Sequence, residues 1–439
     1  MYHLLVGWIC WCLVAVATPC VTVSATAPAS DRDLILGELE SLWYEVRLWE
    51  GTSSSPPSPS IRDLLQTEYN VSMPGAYLAV VDEIIDRLER DGRSKRDRRW
   101  RLDDVPTDRQ PFVYIHQRKT GGTSMRQIIH QSARQAQVPA ESIWIPCNTG
   151  NCDDYIPPLR AGVAVYGAHM PWGSTSWAVN RRSGSRLTDA QDEIDRGRRD
   201  VKCASMFRNP IERWGSCQIF RFGGDQLRRR LPDDDPEGDR TAAGAQRLKA
   251  FRRALYRPDM FGGGCNNEIV RVFSSLYNEN DINRLDQMPS ESSSPGRELE
   301  RAGVVSLTAR HIAQCGVVTL LQYPHLNRLI LAHYHPWIRY SPSVRLNASR
   351  HRPSASSPSN RSRSIFRDPV ADHAEYQALG DRRLMAEMAQ ANLAEYALYR
   401  QALLMVARFL LPSVIDHLDD RQLAADMRST FDNQRTPDK

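Results

Sequence analysis

Residues 119–124, Lys-Thr-Gly-Gly-Thr-Ser, combine the residue types that hold an anionic group. They follow the β-branched and aromatic run 112–116, which predicts a short buried strand. The helix expected next would direct its unpaired N–H groups and its positive dipole end at the loop, and both favour a bound anion. Lys119 adds a full positive charge. The order of strand, lysine, hydroxyl groups and helix therefore predicts a cradle for phosphate or sulfate.

The glycines and the hydroxyl side chains have different tasks in this loop. Gly121 and Gly122 allow unusual dihedrals and a close approach of the backbone to a ligand. Thr123 or Ser124 is predicted to cap the following helix. The lysine precedes the glycines, whereas a Walker A loop has Gly-x-x-x-x-Gly-Lys-Ser/Thr. An ordinary ATPase or GTPase is therefore a poor fit.

A second strand end carries similar chemistry. Residues 201–207 predict another buried strand, and Arg208-Asn209-Pro210 follows it directly. An arginine can bind phosphate through paired donors, and the proline suits the first turn of a helix. Ser216 lies about two helical turns further on, so it can face the same ligand. Two such strand ends predict a nucleotide with phosphates at both ends.

The two segments resemble the nucleotide-binding motifs of Golgi carbohydrate sulfotransferases. Residues 116–124 are similar to the 5′-phosphosulfate loop, and residues 208–216 to the 3′-phosphate site, of the heparan sulfate 2-O and 6-O sulfotransferases and their kin. Softer similarities, to an Asn-Asn-x-x-x-Arg helix, a late strand–helix pair and a closing helix, lie at 265–271, 317–331 and 393–409. Arg118, Asn209 and Gln218 depart from the family's pattern but leave Lys119, Arg208 and Ser216 in place.

The resemblance implies a donor, 3′-phosphoadenosine-5′-phosphosulfate, and transfer of its sulfuryl group to a hydroxyl group without a metal. Lys119 would neutralise charge at the bridging oxygen as the nucleotide leaves, residues 120–124 would hold the 5′-phosphate, and Arg208 and Ser216 the 3′-phosphate. Arg118 would either contact a phosphate or change the loop's rigidity. The cofactor-binding residues are thus expected to be Arg118, Lys119, Thr120, Gly121, Gly122, Thr123, Ser124, Arg208 and Ser216.

An acceptor hydroxyl also needs a base, and His169 is the predicted one. Residues 162–168 predict a strand that ends at this histidine, whose place between the two nucleotide motifs resembles that of the family's catalytic histidine. His116 is the main rival, but it lies on the strand side of the loop and is expected to orient it. His333-Tyr-His335-Pro lacks matching metal ligands and is assigned to packing.

The chain's 439 residues and net charge of +5 fit one large α/β domain with flanking pieces and give no strong signal for nucleic acid. Basic clusters at 93–101, 181–182, 228–230 and 345–363 are either contacts for an anionic polysaccharide or solvated charge runs. The predicted organisation is a targeting segment at 1–27, a helical stem with a linker at 28–108, the catalytic domain at 109–415 and a C-terminal tail at 416–439. Apolar stripes predict stem helices near 35–49, which either face a partner or pack on the core, and near 77–88.

Targeting and cysteine usage point to the secretory pathway. Residues 4–23 are almost wholly apolar and just long enough to span a membrane, whereas Ala25-Thr-Ala also suits a signal peptidase. The resemblance favours a type II Golgi anchor, with a cleaved secretory signal as the alternative, and both put the rest of the chain in the lumen. Outside this segment an even set of cysteines predicts up to three disulfides: Cys147, Cys152, Cys203, Cys217, Cys265 and Cys315. Sequons at Asn70, Asn347 and Asn360 suit a lumenal protein.

These observations together predict a P-loop-like α/β core with a central, mostly parallel sheet flanked by helices, preceded by an N-terminal anchor and a helical stem. The expected partners are a glycan or proteoglycan-like acceptor and, through the N-terminal segment, a membrane, with the oligomeric state open. A protein-tyrosine sulfotransferase is one alternative. A non-catalytic lumenal protein that binds polyanions through the basic clusters is the other.

Overall fold

The computed structural model describes residues 30–50, 65–67, 71–145, 163–169, 172, 201–210, 212–214, 216–217, 267–274, 295–341, 389–390 and 392–435. Several predicted features lie outside these residues: the apolar segment 4–23, the linker, the three sequon asparagines, Cys147, Cys152, Cys265, Gln218 and the basic clusters at 181–182, 228–230 and 345–363.

The described strands form one sheet of five parallel strands. They are β1 (Phe112–Ile115), β2 (Ile143–Trp144), β3 (Val165–Ala168), β4 (Lys202–Phe207) and β5 (Gly316–Leu320), in the order β2-β3-β1-β4-β5. Every residue of β1, β3, β4 and β5 is buried, as expected for strands with both faces covered. The prediction of a central, mostly parallel sheet flanked by helices is confirmed, and the predicted strands at 112–116, 162–168 and 201–207 are found with bounds shifted by one to three residues.

The helices, in chain order, are α1 (Asp31–Glu50), α2 (Gly75–Arg90), α3 (Arg93–Trp100), α4 (Gly122–Gln135), α5 (Glu268–Phe273), α6 (Pro295–Cys315), α7 (Pro324–Tyr334), α8 (Leu393–Met405), α9 (Leu411–Asp416) and α10 (Arg421–Arg435). A π-helical turn, Val406–Leu410, joins α8 to α9. Both predicted stem helices are therefore present, and the predicted C-terminal tail contains α10. The segment Leu393–Asp416 is long and apolar enough to cross a membrane, but 83% of its most apolar window is buried inside the protein.

α1 packs on the core and contacts α7, α8 and α10. Its apolar stripe, which includes Ile35, Leu39 and Val46, is almost completely buried. Glu38 also fixes α1 to the first turn of α7, because its carboxylate accepts the backbone N–H of Leu326 at 2.9 Å. Of the two alternatives for this helix, core packing is the one that the structure supports. The domain boundary at 108 stays a prediction.

A disulfide joins Cys203 in β4 to Cys315, the residue that precedes β5, across 112 positions of sequence. Cys217 is also disulfide-bonded. The expectation that these cysteines pair is therefore confirmed for Cys203, Cys217 and Cys315.

Register places the carboxyl ends of the central strands side by side. Ile115, the last residue of β1, pairs with Ala168 of β3 on one side and with Ser205 of β4 on the other. The residues that follow these strands, His116 and His169 above all, must therefore meet at one edge of the sheet. The strand order also reverses at β1. The strands β2 and β3 lie on one side of it, and β4 and β5 lie on the other.

Candidate functional site

The loop after β1 makes a tight left-handed turn before α4 begins. Lys119 has φ 63° and Gly121 has φ 75°, and Gly121 is the N-cap of α4 with no side-chain capping bond. The prediction that Thr123 or Ser124 caps this helix is wrong: the left-handed glycine ends the loop earlier, so both residues lie inside the first turn. The first N–H groups of the helix, which have no intrahelical acceptor, thus face the loop from Gly122 onward.

Both glycines are required by close contacts. A Cβ atom on Gly121 would lie 2.7 Å from Cδ1 of Leu321, the residue after β5. A Cβ atom on Gly122 would lie 1.6 Å from Cδ2 of His116. The loop is therefore packed between β5 and the imidazole of His116, and its conformation is fixed from both sides.

Buried side chains fix the base of the loop. Thr120 donates its hydroxyl to the carbonyl of Gln117 at 2.8 Å, and the Gln117 amide donates to Oγ of Ser205 at 3.1 Å. The Ser205 hydroxyl in turn donates to the carbonyl of Ile115 at 2.8 Å. All three polar side chains are completely buried. The hydroxyl of Thr120 thus closes the loop, while Thr123 is exposed and Ser124 half-buried in the turn above it.

His169 lies against the end of β1. Its Nδ1 is 2.9 Å from the carbonyl oxygen of His116, and the two imidazole rings stack with centroids 3.8 Å apart. Because a carbonyl oxygen only accepts, Nδ1 is the donor, and the neutral ring carries its lone pair on Nε2. The structure therefore brings the predicted base and its rival together, with His116 as the residue that orients His169.

Burial keeps both imidazoles neutral. It lowers the pKa of His169 to about 4, against the charge of Glu268, which acts to raise it. Burial also holds the pKa of His116 well below its usual range, and the neighbouring His169 and Arg126 lower it further. At neutral pH the imidazole of His169 is therefore uncharged.

Arg208, at the end of β4, reaches the loop after β1. Its Nη1 donates to the carbonyl of Lys119 at 3.3 Å, and its Nε donates to the carboxylate of Glu212 at 3.2 Å. Burial lowers the pKa of Lys119, and the charge of Arg208 lowers it further. Two half-buried cations that repel each other would be stabilised by an anion between them. Ser216 is half-buried in the helical residues that follow Arg208.

Glu268, the first residue of α5, closes the other side of the loop. Its Oε1 accepts the backbone N–H of Arg118 at 3.1 Å and lies 3.9 Å from Nε of the same arginine. The carboxylate is almost completely buried, at 3% exposure. One loop N–H is therefore already bound to the protein and is not available to a ligand.

A buried ion pair supports both flanks of this site. Arg213 and Glu395 of α8 form a contact of 2.6 Å with neither side chain exposed. The second oxygen of Glu395 accepts the N–H of Ile269 at 2.9 Å, and Asn392 accepts the N–H of Asn267 at 3.1 Å. α8 thus connects the residues after Arg208 with the start of α5, where Glu268 lies. The segments 265–271 and 393–409, which have the softer similarities to the family, therefore hold the surroundings of the site in place.

Gln117, Arg126 and Glu268 have no separate role that the sequence patterns predict. Arg126 is buried on α4, where its charge acts on both histidines. Glu268 belongs to the Asn-Asn-Glu stretch of the resemblance, and Gln117 to the phosphosulfate loop, so the motifs contain two of the three. Only the fold shows that Glu268 contacts the loop, because Glu268 and Arg118 are 150 residues apart in sequence.

The basic run 93–101 is largely paired with acids. Arg99 contacts Asp91 at 3.3 Å, Arg93 pairs with Asp416, and Arg101 pairs with Asp103. Arg96 is buried with its guanidinium over the Phe409 ring. This run therefore fastens α3 to the surrounding chain. His335 is completely buried against Phe112, which is the packing role predicted for it.

Within the described part of the chain, no group of three or more His, Cys, Asp or Glu side chains has the arrangement needed to hold a metal ion. Comparison of the chain with protein-family models, with curated proteins and with solved structures finds no match.

Proposed function

We propose that this protein is a lumenal carbohydrate sulfotransferase with a P-loop-like core, which transfers the sulfuryl group of 3′-phosphoadenosine-5′-phosphosulfate to a hydroxyl of a glycan. The observation that carries the proposal is the convergence of three strand ends. The lysine loop after β1 bonds to Arg208 after β4 and, through the His116 carbonyl, to His169 after β3. These are the segments whose sequences resemble the donor-binding and catalytic parts of such enzymes.

The topology supports a nucleotide at this edge. In open α/β sheets, ligands bind outside the carboxyl ends of the strands, where the strand order reverses. Here the order reverses around β1, whose loop carries Lys119 and leads directly into α4. A nucleotide with phosphates at both ends would lie between this helix start and Arg208. The half-buried cations at Lys119 and Arg208 suit its charge.

The proposed reaction moves one sulfuryl group in line. The bond between sulfur and the oxygen of the 5′-phosphate breaks while a bond from sulfur to the acceptor oxygen forms. Lys119 stabilises negative charge on the departing oxygen, and Nε2 of His169 takes the proton of the acceptor hydroxyl. The bond from Nδ1 of His169 to the His116 carbonyl holds the ring in the tautomer that this step requires.

The compartment follows from the same proposal. Disulfides persist in oxidising compartments, and the bond between Cys203 and Cys315 is consistent with a lumenal protein. The apolar segment 4–23 would be a type II anchor in the Golgi membrane or a cleaved signal. The polyanion-binding alternative loses part of its support because four of the five arginines of 93–101 are paired with acids or buried.

The test uses the full-length chain in detergent and radiolabelled donor nucleotide, with a panel of desulfated glycans and tyrosine peptides as acceptors. We expect label on one glycan class. Lys119→Ala should reduce transfer by about 100-fold or more, the usual effect of removing a group that stabilises transition-state charge. His169→Ala should reduce it by a similar factor. Lys95→Ala is the matched control, because Lys95 is an exposed lysine on α3, and it should leave transfer unchanged.

Three other results would change the conclusion. Label on the tyrosine peptides alone would favour the protein-tyrosine alternative. Transfer that survives in Lys119→Ala would contradict the assigned site. If 3′-phosphoadenosine 5′-phosphate does not bind to the wild-type chain in a calorimeter, the sulfotransferase proposal fails and the polyanion-binding alternative replaces it.

A further inference from the structure

Glu268 has a buried carboxylate, and no step of the proposed reaction involves it. Its Oε1 accepts one loop N–H, from Arg118. Its Oε2 is also buried, and among the described residues it has no hydrogen-bond partner. A buried carboxylate oxygen without a partner is unfavourable and rare in native structures, so it calls for an explanation.

Glu268 and His169 hold the two ends of the same short segment. His169 donates to the carbonyl of His116, and Glu268 accepts from the N–H of Arg118, two residues further on. Both contacts lie where β1 passes into the lysine loop. Both side chains are therefore bound to the same three-residue segment, and the charge of Glu268 acts on the imidazole of His169.

The base needs such a charge at one step of the reaction. When Nε2 takes the acceptor proton, a positive imidazolium forms at a site from which water is largely excluded. Arg118 and the buried Arg126 both disfavour that charge, and the stacked His116 is itself neutral. The His116 carbonyl supplies only a dipole. Glu268 is the acidic group whose charge favours the imidazolium.

We propose that Glu268 is a positioning residue, whose buried carboxylate stabilises the imidazolium of His169 during transfer and holds the lysine loop at Arg118. The proposal rests on the sulfuryl transfer proposed above. The charged and titratable groups that act on this pair are His116, Arg118 and Arg126 on the side of β1 and α4, and Glu395 of α8 on the side of α5. Glu268 does not itself receive the proton from the acceptor.

The deciding variants separate charge from shape. Glu268→Gln keeps an oxygen that can accept the Arg118 N–H but removes the charge, whereas Glu268→Asp keeps the charge on a shorter side chain. We expect Glu268→Gln to reduce kcat about tenfold or more, the effect of one charge acting over several ångströms inside a protein. KM for the acceptor and the affinity for 3′-phosphoadenosine 5′-phosphate should change less than about twofold, and Glu268→Asp should retain more activity than Glu268→Gln.

A double variant adds a second test. In the His169→Ala background, Glu268→Gln should cause no further loss, because the carboxylate acts through the imidazole. Glu45→Gln, the same change at another buried glutamate, is the control and should leave kcat unchanged.

The outcomes distinguish this inference from the proposed function. A wild-type chain that transfers sulfate, together with a Glu268→Gln variant as active as wild type, overturns the role of Glu268 alone. The same holds if Glu268→Asp loses more activity than Glu268→Gln, because shape would then matter more than charge. A wild-type chain that neither binds the nucleotide nor transfers sulfate overturns both proposals.

Discussion

Glu45 and Glu268 are both buried glutamates on helices, but their surroundings differ. Glu45 of α1 accepts hydrogen bonds on both oxygens, from the hydroxyls of Tyr399 at 3.0 Å and Tyr323 at 2.9 Å. Glu268 of α5 has one oxygen bound to the loop N–H of Arg118, and its other oxygen has no partner in the described part of the chain. Glu45 therefore links α1 to α8 and to the residues after β5. The second oxygen of Glu268 can still accept a hydrogen bond.

The two carboxylates also differ in the charges of their neighbours. The donors to Glu45 are neutral, so burial dominates and raises its pKa to about 7. Glu268 lies beside the guanidinium of Arg118, and its charge acts on His169. A third buried glutamate, Glu395, is bound to Arg213 and so represents the fully paired case. A buried carboxylate with all its contacts satisfied fits a structural role, and the role proposed for Glu268 depends on its being only half-satisfied and on its charge acting on His169.

The largest effect on stability is expected at the fully paired glutamate. Glu395→Ala leaves the Arg213 guanidinium buried without its counter-charge, so the free energy of unfolding should fall by about 3–5 kcal/mol. Denaturant unfolding followed by fluorescence measures this fall. Asp82→Ala, which breaks the more exposed pair with Arg400, should cost less than about 1 kcal/mol. Equal losses in the two variants would show that burial does not govern these pairs.

At Glu45 the expected loss is smaller and depends on the replacement. Glu45→Ala leaves two buried tyrosine hydroxyls without their acceptor and should lower the free energy of unfolding by about 1–3 kcal/mol. Glu45→Gln retains an oxygen acceptor and should lose less. Denaturant titration of both variants at one pH checks the order. A larger loss in Glu45→Gln would contradict the view that the hydroxyl bonds are what matter here.

Glu45 should also give the protein a pH dependence of known sign. Its folded pKa of about 7 lies above the unfolded value near 4.5, so the folded state binds more protons between these limits. The contribution of Glu45 to stability is then present below pH 4.5 and is lost as the pH rises through 7. The difference in unfolding free energy between wild type and Glu45→Gln should change by about 1 kcal/mol per pH unit in this window. A pH-independent difference would mean that Glu45 titrates normally.

The smallest effect is expected at Glu268, where stability and activity should separate. Glu268→Gln removes a buried charge with an unpartnered oxygen, so the unfolding free energy should stay within about 0.5 kcal/mol of wild type or rise slightly. Transfer should fall in the same variant. Unfolding and kinetic measurements on one preparation test the separation. A loss of stability as large as that of Glu45→Ala would make Glu268 a structural residue like Glu45.

Much of the sheet can be predicted from sequence because its strands are short, continuous apolar runs. The segments that form β1, β3 and β4 are identifiable in this way, and so is the strand–loop–helix order around Lys119, whereas the strand at β5 was expected only from the resemblance. The start of α4 is not identifiable, since a hydroxyl residue near a helix start is a usual N-cap, whereas here Gly121 takes that position in a left-handed conformation with Leu321 packed against it. A local pattern cannot show which of several capping residues the tertiary contacts favour.

The contacts that the site residues make also depend on the tertiary structure. Each end of the contact between Glu268 and Arg118, or of the disulfide between Cys203 and Cys315, is ordinary in its own segment of sequence. The apolar stripe of α1 fitted a partner-facing helix as well as a core helix, because periodicity reports that a face is buried and not what covers it.

The residue types at the ends of β1, β3 and β4 follow directly from the sequence, because each strand is a local run of apolar residues and polar residues come after it. The tertiary structure alone decided that these ends are neighbours: the order β2-β3-β1-β4-β5 and its register bring His116 beside His169 and Arg208 beside Lys119. It also decided that Glu268 is buried next to them. The physical reason is that strand order, register and burial depend on contacts between segments that are far apart in sequence. Such contacts leave no pattern in any one segment.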